Sequence, residues 1–408
     1  MTVRPDADVI VAGAGMAGVT LALALASGGL KPLLIDPQPF DAQCAPSFDG
    51  RASAISFSAY RQWRALGVAP FLDPNAQRIE QILVTQGGGP GLLRFAADEI
   101  AVRSQGEPLG YMLENRHIRA GLANAVAEAG IEVMAPQRVV SAKTPGPVAK
   151  VALEDGRTLT APLIVGADGR SSLIRREAAI ATQGWGYGQS GVVATVGVER
   201  DHVGVAYEHF LPSGPFAILP LTGRRVSLVW TETTARGAAL AKASEEAFAA
   251  HLGRRFGSFL GQIEVLGPRF VYPLSLQLAE RLAAPRMALI GDAAHAIHPI
   301  AGQGLNMGLK DAAALAQVLT EAARLGEDIG ALDVLERYGR WRSVDNIGVA
   351  LATDLFSRLY SNNNPLLRVA RGVGMAAVGG VGPLRRLFMH EAGGALGDLP
   401  RLLRGEAL

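Results

Sequence analysis

Apolar positions along the chain fall into three patterns. Short apolar runs at residues 8–12, 32–36, 163–169 and 287–290 carry little polar character, as strands covered on both faces do. Helical spacing, near 3.6 residues, marks residues 19–27, 117–129 and 245–256. It returns from Leu305, with Leu309, Ala312, Ala313 and Ala316 on one stripe. Residues 48–56 are expected to begin another helical run, whose apolar stripe is Tyr60, Trp63 and Leu66, and Met112 to lead into the helix of 117–129. Alternating or β-branched stretches predict strands within 76–110, carrying Ile79, Ile82, Val84, Leu92, Leu93 and Phe95. Residues 131–133, 139–140, 148–153 and 158–161 predict a meander. Residues 190–198, 205–211, 215–221 and 225–230 predict a second sheet, with 269–274 leading back to the strand at 287. Beyond Gln317 the chain is expected to be mostly helical to its end.

Composition narrows the class. At 408 residues the chain exceeds a single compact core, and 49% hydrophobic against 19% charged residues excludes a disordered protein. Lys and Arg (39) against Asp and Glu (37) leave a net charge of +2, so no nucleic-acid partner is expected. The single Cys44 can form neither an internal disulfide nor a thiolate metal cage, which fits a reducing cytoplasm. Residues 1–18 have no long apolar run before the first strand, so no signal peptide is expected. Nor does any stretch offer the roughly 18 uninterrupted apolar residues of a spanning helix.

The chemistry concentrates at breaks between strands and helices. Gly13-Ala14-Gly15-Met16-Ala17-Gly18 follows the first strand, and Asp36 closes the second, which completes a βαβ dinucleotide unit. Gly13 permits the tight turn, Gly15 lets a pyrophosphate come close, and Gly18 packs helix on strand. Asp36 would accept ribose hydroxyls and repel a 2′-phosphate, so the nucleotide is FAD or NAD. Arg51 and Arg116 are either surface charges or phosphate partners. Asp168, with Ser171 and Ser172, is either a helix cap or part of a ligand motif. Residues 287–317 form a strand, a break at Gly291-Asp292, and a turn rich in small residues ending in Gly302 and Gly304. The amides of Gly304, Leu305 and Asn306 open a helix and favour electron-rich oxygen. Asp292, His295 and His298 stand three residues apart, but Pro299 follows and no completing ligand cluster is visible, so no metal is expected.

Three signatures in order, GAGMAG with Asp36, GADGRSSLIR at 166–175 and GDAAHAIHPIAGQGLNMGL at 291–309, resemble those of the flavoprotein aromatic hydroxylases. These are the class A monooxygenases similar to p-hydroxybenzoate hydroxylase, and the resemblance spans residues 8–347. SFDGRASAIS at 47–56, ENRHIRAGL at 114–122, FLPSGPFAILPL at 210–221 and HEAGGALGDLPRLLRGE at 390–406 resemble the ubiquinone-biosynthesis branch. The resemblance implies an α/β fold: a Rossmann-like FAD-binding domain (1–75, 111–180 and 273–347), an inserted β-sheet substrate domain (76–110 and 181–272) and a helical C-terminus (348–408). It implies that Gly13, Gly15, Ala17 and Gly18 hold the FAD pyrophosphate and Asp36 its ribose. Arg51 and Arg116 would sit near FAD, Asp168 would serve FAD and NAD(P)H, and Gly291 and Asp292 would hold the ribityl-pyrophosphate region. Pro299 would pack by the flavin edge, and Gly302, Gly304, Leu305 and Asn306 by its pyrimidine. Asp36 stands where Glu is commoner in the family.

The implied reaction uses NAD(P)H to reduce FAD and O2 to form a flavin hydroperoxide, which must be shielded from water. Phe216, Ile218 and Pro220 alternate on one strand and are expected to supply an apolar face, with Tyr207 nearby. The implied substrate is a hydrophobic polyprenylated phenol. A hydroxylase of small aromatic acids would want a cation on that face, and 205–221 carry no Arg or Lys. A flavin-binding scaffold subunit is the rival from outside catalysis. Residues 354–390 alternate apolar side chains (Leu355, Phe356, Leu359, Leu384, Leu387, Phe388) with arginines. They form either a helical cover or a peripheral membrane surface. The expected location is cytoplasmic, with membrane association at the inner face and contact with quinone-biosynthesis proteins.

Overall fold

The computed structural model describes residues 5–45, 50–86, 92–99, 106–297, 302–360, 393–394 and 397–408. The chain begins with strand β1 (Val9–Ala12), helix α1 (Met16–Ser27), strand β2 (Pro32–Ile35) and helix α2 (Phe40–Cys44). Strand β3 (Ala52–Ser56), helices α3 (Phe57–Ala65) and α4 (Ala69–Leu72), and strands β4 (Gln77–Ile79), β5 (Gln81–Gln86) and β6 (Leu92–Ala96) follow. Next come β7 (Gly110–Glu114), α5 (Asn115–Glu128), β8 (Glu132–Met134), β9 (Val139–Lys143), β10 (Ala149–Leu153), β11 (Thr158–Ala161), β12 (Leu163–Gly166) and α6 (Leu173–Glu177). A second region holds β13 (Thr182–Val198), β14 (Val205–Leu211), β15 (Gly214–Leu221), β16 (Arg225–Thr233), α7 (Thr234–Lys242), α8 (Glu245–Phe256) and β17 (Ile263–Ala279). The last elements are β18 (Ala283–Ala284), β19 (Met287–Leu289), β20 (His295–Ala296), α9 (Gln303–Arg324) and α10 (Leu332–Tyr360).

The short apolar runs meet in one six-stranded sheet of order β18-β19-β12-β1-β2-β8, parallel except for β18. Every residue of β1, β2, β12 and β19 is buried, because the strands are covered on both faces. Helices α1 and α9 pack closely at their small residues: a Cβ on Gly308 would lie 3.1 Å from the Gly291 Cα and 3.3 Å from the Ala17 Cβ.

An eight-stranded sheet of order β20-β17-β13-β16-β15-β14-β5-β6 forms the second layer system. It is antiparallel except where β14 runs parallel to β5. One of its faces buries Phe216, Ile218 and Trp230 against Phe248, Leu252 and Phe256 of α8. The other face, through Ala206, Leu219 and Leu221, packs on the small sheet β3-β7-β4. β20 belongs to the segment after β19 yet pairs with β17, so the two sheets are joined at the Gly291 region.

Several local expectations give way to tertiary structure. Residues 52–56, expected to begin a helix, form β3, and the helix starts only at Phe57 because Ser56 caps it, its Oγ accepting from Ala59 N at 3.3 Å. Met112, expected to lead into a helix, lies in β7, held between β3 and β4. The stretch near 131–133, expected in the meander, pairs as β8 with β2 in the parallel sheet, leaving β9, β10 and β11 as the antiparallel meander. α10 extends the helical C-terminal region to Tyr360, and residues 361–392 lie outside the described residues. Among the described residues no helix is long and apolar enough to cross a membrane.

Candidate active site

The glycine turn after β1 divides labour between its members. Gly13 has φ +107°, and a Cβ there would fall 2.3 Å from the Ala167 carbonyl oxygen. A Cβ on Gly18 would fall 2.1 Å from the Gly13 oxygen. Gly15 differs: nothing lies within 4 Å of where its Cβ would be. Two of the glycines are therefore needed by the protein itself, while Gly15 leaves its backbone open to a ligand. Ala17 meets Gly291 and Gly308, which makes it a packing residue between the turn and α9.

Asp36 braces this turn. Its Oδ2 accepts the Ala14 N–H at 2.7 Å, and its Oδ1 accepts the Gln38 N–H at 2.8 Å. Burial pushes its carboxyl above the ordinary carboxylate range, against the lowering effect of those bonds. The cleft beside Gly15 is lined by Met16, Phe40, Gln43, Arg119 and Leu122. Arg119 was not singled out in the sequence. Its signal was its place three residues after Arg116, on the same face of α5.

The Gly291-Asp292 break sits on a rigid base. In residues 287–297 Asp292 alone is exposed, and every other residue is buried. Asp311 of α9 supports the loop from below, accepting the Gly291 N–H at 3.1 Å and the His295 Nε2–H at 2.5 Å. Arg342 of α10 donates to the other Asp311 oxygen at 2.9 Å. Burial raises the Asp311 pKa, but His295 and Arg342 outweigh it and hold the carboxyl at about 2. With Nε2 given to Asp311, His295 is a structural residue. His298, weighed with it as a metal ligand, lies outside the described residues, as does Pro299.

Asp168 is a helix cap, one of the two readings open to it. One oxygen caps α6, accepting Leu173 N–H at 2.6 Å and Ile174 N–H at 3.3 Å. The other, Oδ1, is buried and has no hydrogen-bond partner among the described residues. Arg175, buried in the same motif, donates to the Ala293 carbonyl at 2.7 Å and so ties it to the Asp292 segment.

Gly302 begins α9 in the left-handed region, φ +63°, with no side-chain cap on the helix. Gly302 itself offers the first-turn amides of Gly304 and Leu305 no side-chain cap. The Asn306 side chain is structural: it donates to Ala54 O at 2.9 Å and accepts Ser56 N–H at 3.0 Å, fastening β3 to α9. Arg51 lies over the Tyr272 ring at 4.7 Å, at the junction with the large sheet. Arg116 pairs with Glu114 at 3.0 Å, and Arg225 reaches the same carboxylate at 3.1 Å. A His117 hydrogen bond, with Arg225 and Arg116 behind it, holds Glu114 at about 2.

The face bearing Phe216, Ile218 and Tyr207, expected to meet substrate, turns away from the nucleotide-binding part. Phe216 and Ile218 are fully buried in the core under α8, and Tyr207 packs there against Phe259 at 4.7 Å. Alternation showed that Phe216 and Ile218 share a face. It could not show that helices laid down later in the chain cover that face. The face turned to the nucleotide-binding part carries Ala217, Leu219 and Leu221 instead, and a Cβ on Gly50 would meet the Phe270 ring on that face at 2.0 Å.

Comparison with known proteins then decides the family. The family described as "FAD binding domain" matches residues 6–343. The chain is 44% identical over 406 residues to "Ubiquinone hydroxylase UbiL" of Rhodospirillum rubrum, covering 98% of this chain and 94% of that one. The chain is a member of this FAD-binding hydroxylase family. The flavoprotein is also 34% identical to "3-demethoxyubiquinol 3-hydroxylase" of Escherichia coli, over 96% of its own length and 99% of the relative's. Its fold matches p-nitrophenol 4-monooxygenase PnpA from Pseudomonas putida with a TM-score of 0.77, at 20% identity, over 94% of this chain and 97% of that one. The residues present fit FAD. The open backbone at Gly15, the outward Asp292, and the partnerless buried atoms Asp168 Oδ1 and Arg116 Nε all border the nucleotide-binding fold.

Proposed function

We propose that this flavoprotein hydroxylates the aromatic ring of a polyprenylated phenol in ubiquinone biosynthesis. One oxygen atom of O2 enters the ring, the other leaves as water, and NAD(P)H supplies the two electrons. The observation that carries this reading is the 44% identity, along almost the whole chain, to a relative named as a ubiquinone hydroxylase. When bound, FAD supplies the redox and oxygen-transfer chemistry. The chain's residues bind, orient and exclude water. Gly13, Gly15 and Gly18 admit the pyrophosphate, Asp36 the ribose, and Asp292 and the α9 amides the remainder of the cofactor. Arg51, Arg116 and Asp168 complete that shell.

The substrate face is proposed as the part, beyond the small sheet, of the large sheet's nucleotide-facing side that bears Ala217, Val229 and Val193, within the segments 76–110 and 181–272. Those residues are small or aliphatic, which suits a prenylated ring and keeps water out. Arg225, a cation on that face, is already paired with Glu114 at 3.1 Å, so it is not offered to a substrate carboxylate. A prenyl chain partitions into lipid, which supports a cytoplasmic protein working at the inner membrane face beside other quinone-biosynthesis proteins. Deleting the gene in its host tests the reading. The expected result is loss of ubiquinone and accumulation of a prenylated precursor short of one ring hydroxyl; unchanged ubiquinone would refute it.

A further inference from the structure

One row of residues crosses the large sheet in register, strand by strand: Val84, Glu208, Ala217, Val229, Val193 and Phe270. Paired residues in a sheet share a face, so all six point the same way. This is the face met by Gly50 at the Phe270 end, where a Cβ would come within 2.0 Å of the ring. Five members of the row are apolar, and Glu208 is the exception. Its side chain is half-buried. Among the described residues no hydrogen bond or ion pair reaches it. Set among apolar side chains, the charged carboxylate loses part of its hydration without gaining a partner. A ligand hydroxyl laid on this face would supply that partner.

We propose that Glu208 is a catalytic residue, whose carboxylate takes the hydrogen bond and then the proton of the substrate's phenolic hydroxyl. The proposal rests on the phenol-hydroxylase reading above. As the ring carbon ortho or para to the hydroxyl takes one oxygen of O2, the O–O bond breaks and the other oxygen, reduced by the two electrons of NAD(P)H, leaves as water. The phenolic O–H bond breaks toward Glu208 and its electron pair becomes a ring C=O. The hydrogen on the oxygenated carbon then leaves as a proton to water, its bonding pair restoring the aromatic ring. The proton on Glu208 returns to the carbonyl oxygen. O2 is the oxidant and NAD(P)H the reductant, and no other co-reactant is required.

The surroundings favour such a base. Burial pushes Glu208 up to about 7, so it is partly ionised at neutral pH and can both accept and return a proton. No neighbouring strand sets a charge beside it. β5 and β15 face it with Val84 and Ala217, and β6 places Leu93 and Phe95 on that side, with Arg94 on the other. Tyr207 and His209, its neighbours in β14, point to the opposite face, where Thr85 bonds His209 Nδ1 at 2.5 Å. On Glu208's own face Arg225 is committed to Glu114, and Tyr272 lies under Arg51. α10, the remaining helix of the nucleotide-binding side, has its side chains from 349 onward outside the described residues.

The test uses FAD-loaded protein with ortho-prenylphenol and its methyl ether as probes, comparing wild type, Glu208→Gln and Glu208→Ala. Binding is read from flavin fluorescence before any reductant is added. Wild type should prefer the phenol over the ether by about ten- to a hundredfold at pH 8, the worth of a hydrogen bond to a charged group. Both variants should lose most of that preference. In turnover, Glu208→Gln should lower kcat by about a hundredfold or more with a smaller change in KM, and should lose the rise in kcat through about pH 7. Equal binding of phenol and ether by wild type would overturn the proposal, with or without turnover. So would a Glu208→Gln variant with wild-type kcat and pH profile. Failure of the wild type to hydroxylate the phenol while still preferring it would instead count against the proposed reaction and leave Glu208 as the hydroxyl-binding group.

Discussion

Asp292 and Asp36 are both proposed for the nucleotide site, yet their surroundings assign them different work. Asp292 projects from a buried segment and makes no described contact with the protein, so its substitution should act on FAD rather than on the fold. Asp292→Ala should weaken FAD by at least about 1.5–3 kcal/mol, while the melting temperature of the apoprotein stays near wild type. Flavin absorbance after gel filtration and a thermal melt check this. Asp36→Ala should weaken FAD by a similar ten- to hundredfold and also cost apoprotein stability, because the Ala14 N–H loses its acceptor. Asp311 gives a pH prediction. Its folded pKa, about 2, lies below the ordinary ~3.9, so its stabilising contribution is complete above about pH 4 and is lost as pH falls toward 2. Asp311→Asn should cost roughly 3 kcal/mol at pH 6, and the gap in urea midpoint should shrink by pH 3. A gap that stays constant with pH would contradict the ionic role.

At the scale of elements, the two glycines of the first turn should separate folding from binding. Gly13→Ala sets a side chain at φ +107° against a carbonyl, and should cost stability by about 1–3 kcal/mol or more even without FAD. Gly15→Ala meets nothing and should cost the apoprotein less than about 1 kcal/mol, as an N-cap change, yet weaken FAD clearly. Equal melting temperatures for the two variants would contradict this division. The parallel strands β1, β2, β12 and β19 were legible in the sequence because their apolar runs are local, and so was the βαβ turn with Asp36, whereas the pairing of β8 with β2 was not. The side chains that face the substrate were not. Phe216 and Ala217 are neighbours on one strand, and which of them meets α8 depends on a helix some thirty residues later. Glu208 was passed over for the same reason, since its isolation appears only once five other strands lie beside it. Asp311 and Arg342 likewise read as two separated charges until α9 and α10 pack together.

The whole molecule joins two chemistries at one seam. The parallel sheet offers a nucleotide site at its strand ends, and the large sheet lays an apolar face with one carboxyl against it. β20 pairing with β17, Arg225 with Glu114, and Asn306 with β3 hold that seam together, between the proposed cofactor and substrate faces. The central claim is that oxygen from O2 is placed on a phenol ring at this seam. Its most direct test supplies the FAD-loaded protein with NADH or NADPH, ortho-prenylphenol and isotopically heavy dioxygen, and reads the product by mass spectrometry. The account predicts a ring-hydroxylated product carrying one heavy oxygen for each NAD(P)H consumed. Consumption of NAD(P)H that yields only hydrogen peroxide, or a product whose new oxygen comes from water, would contradict it.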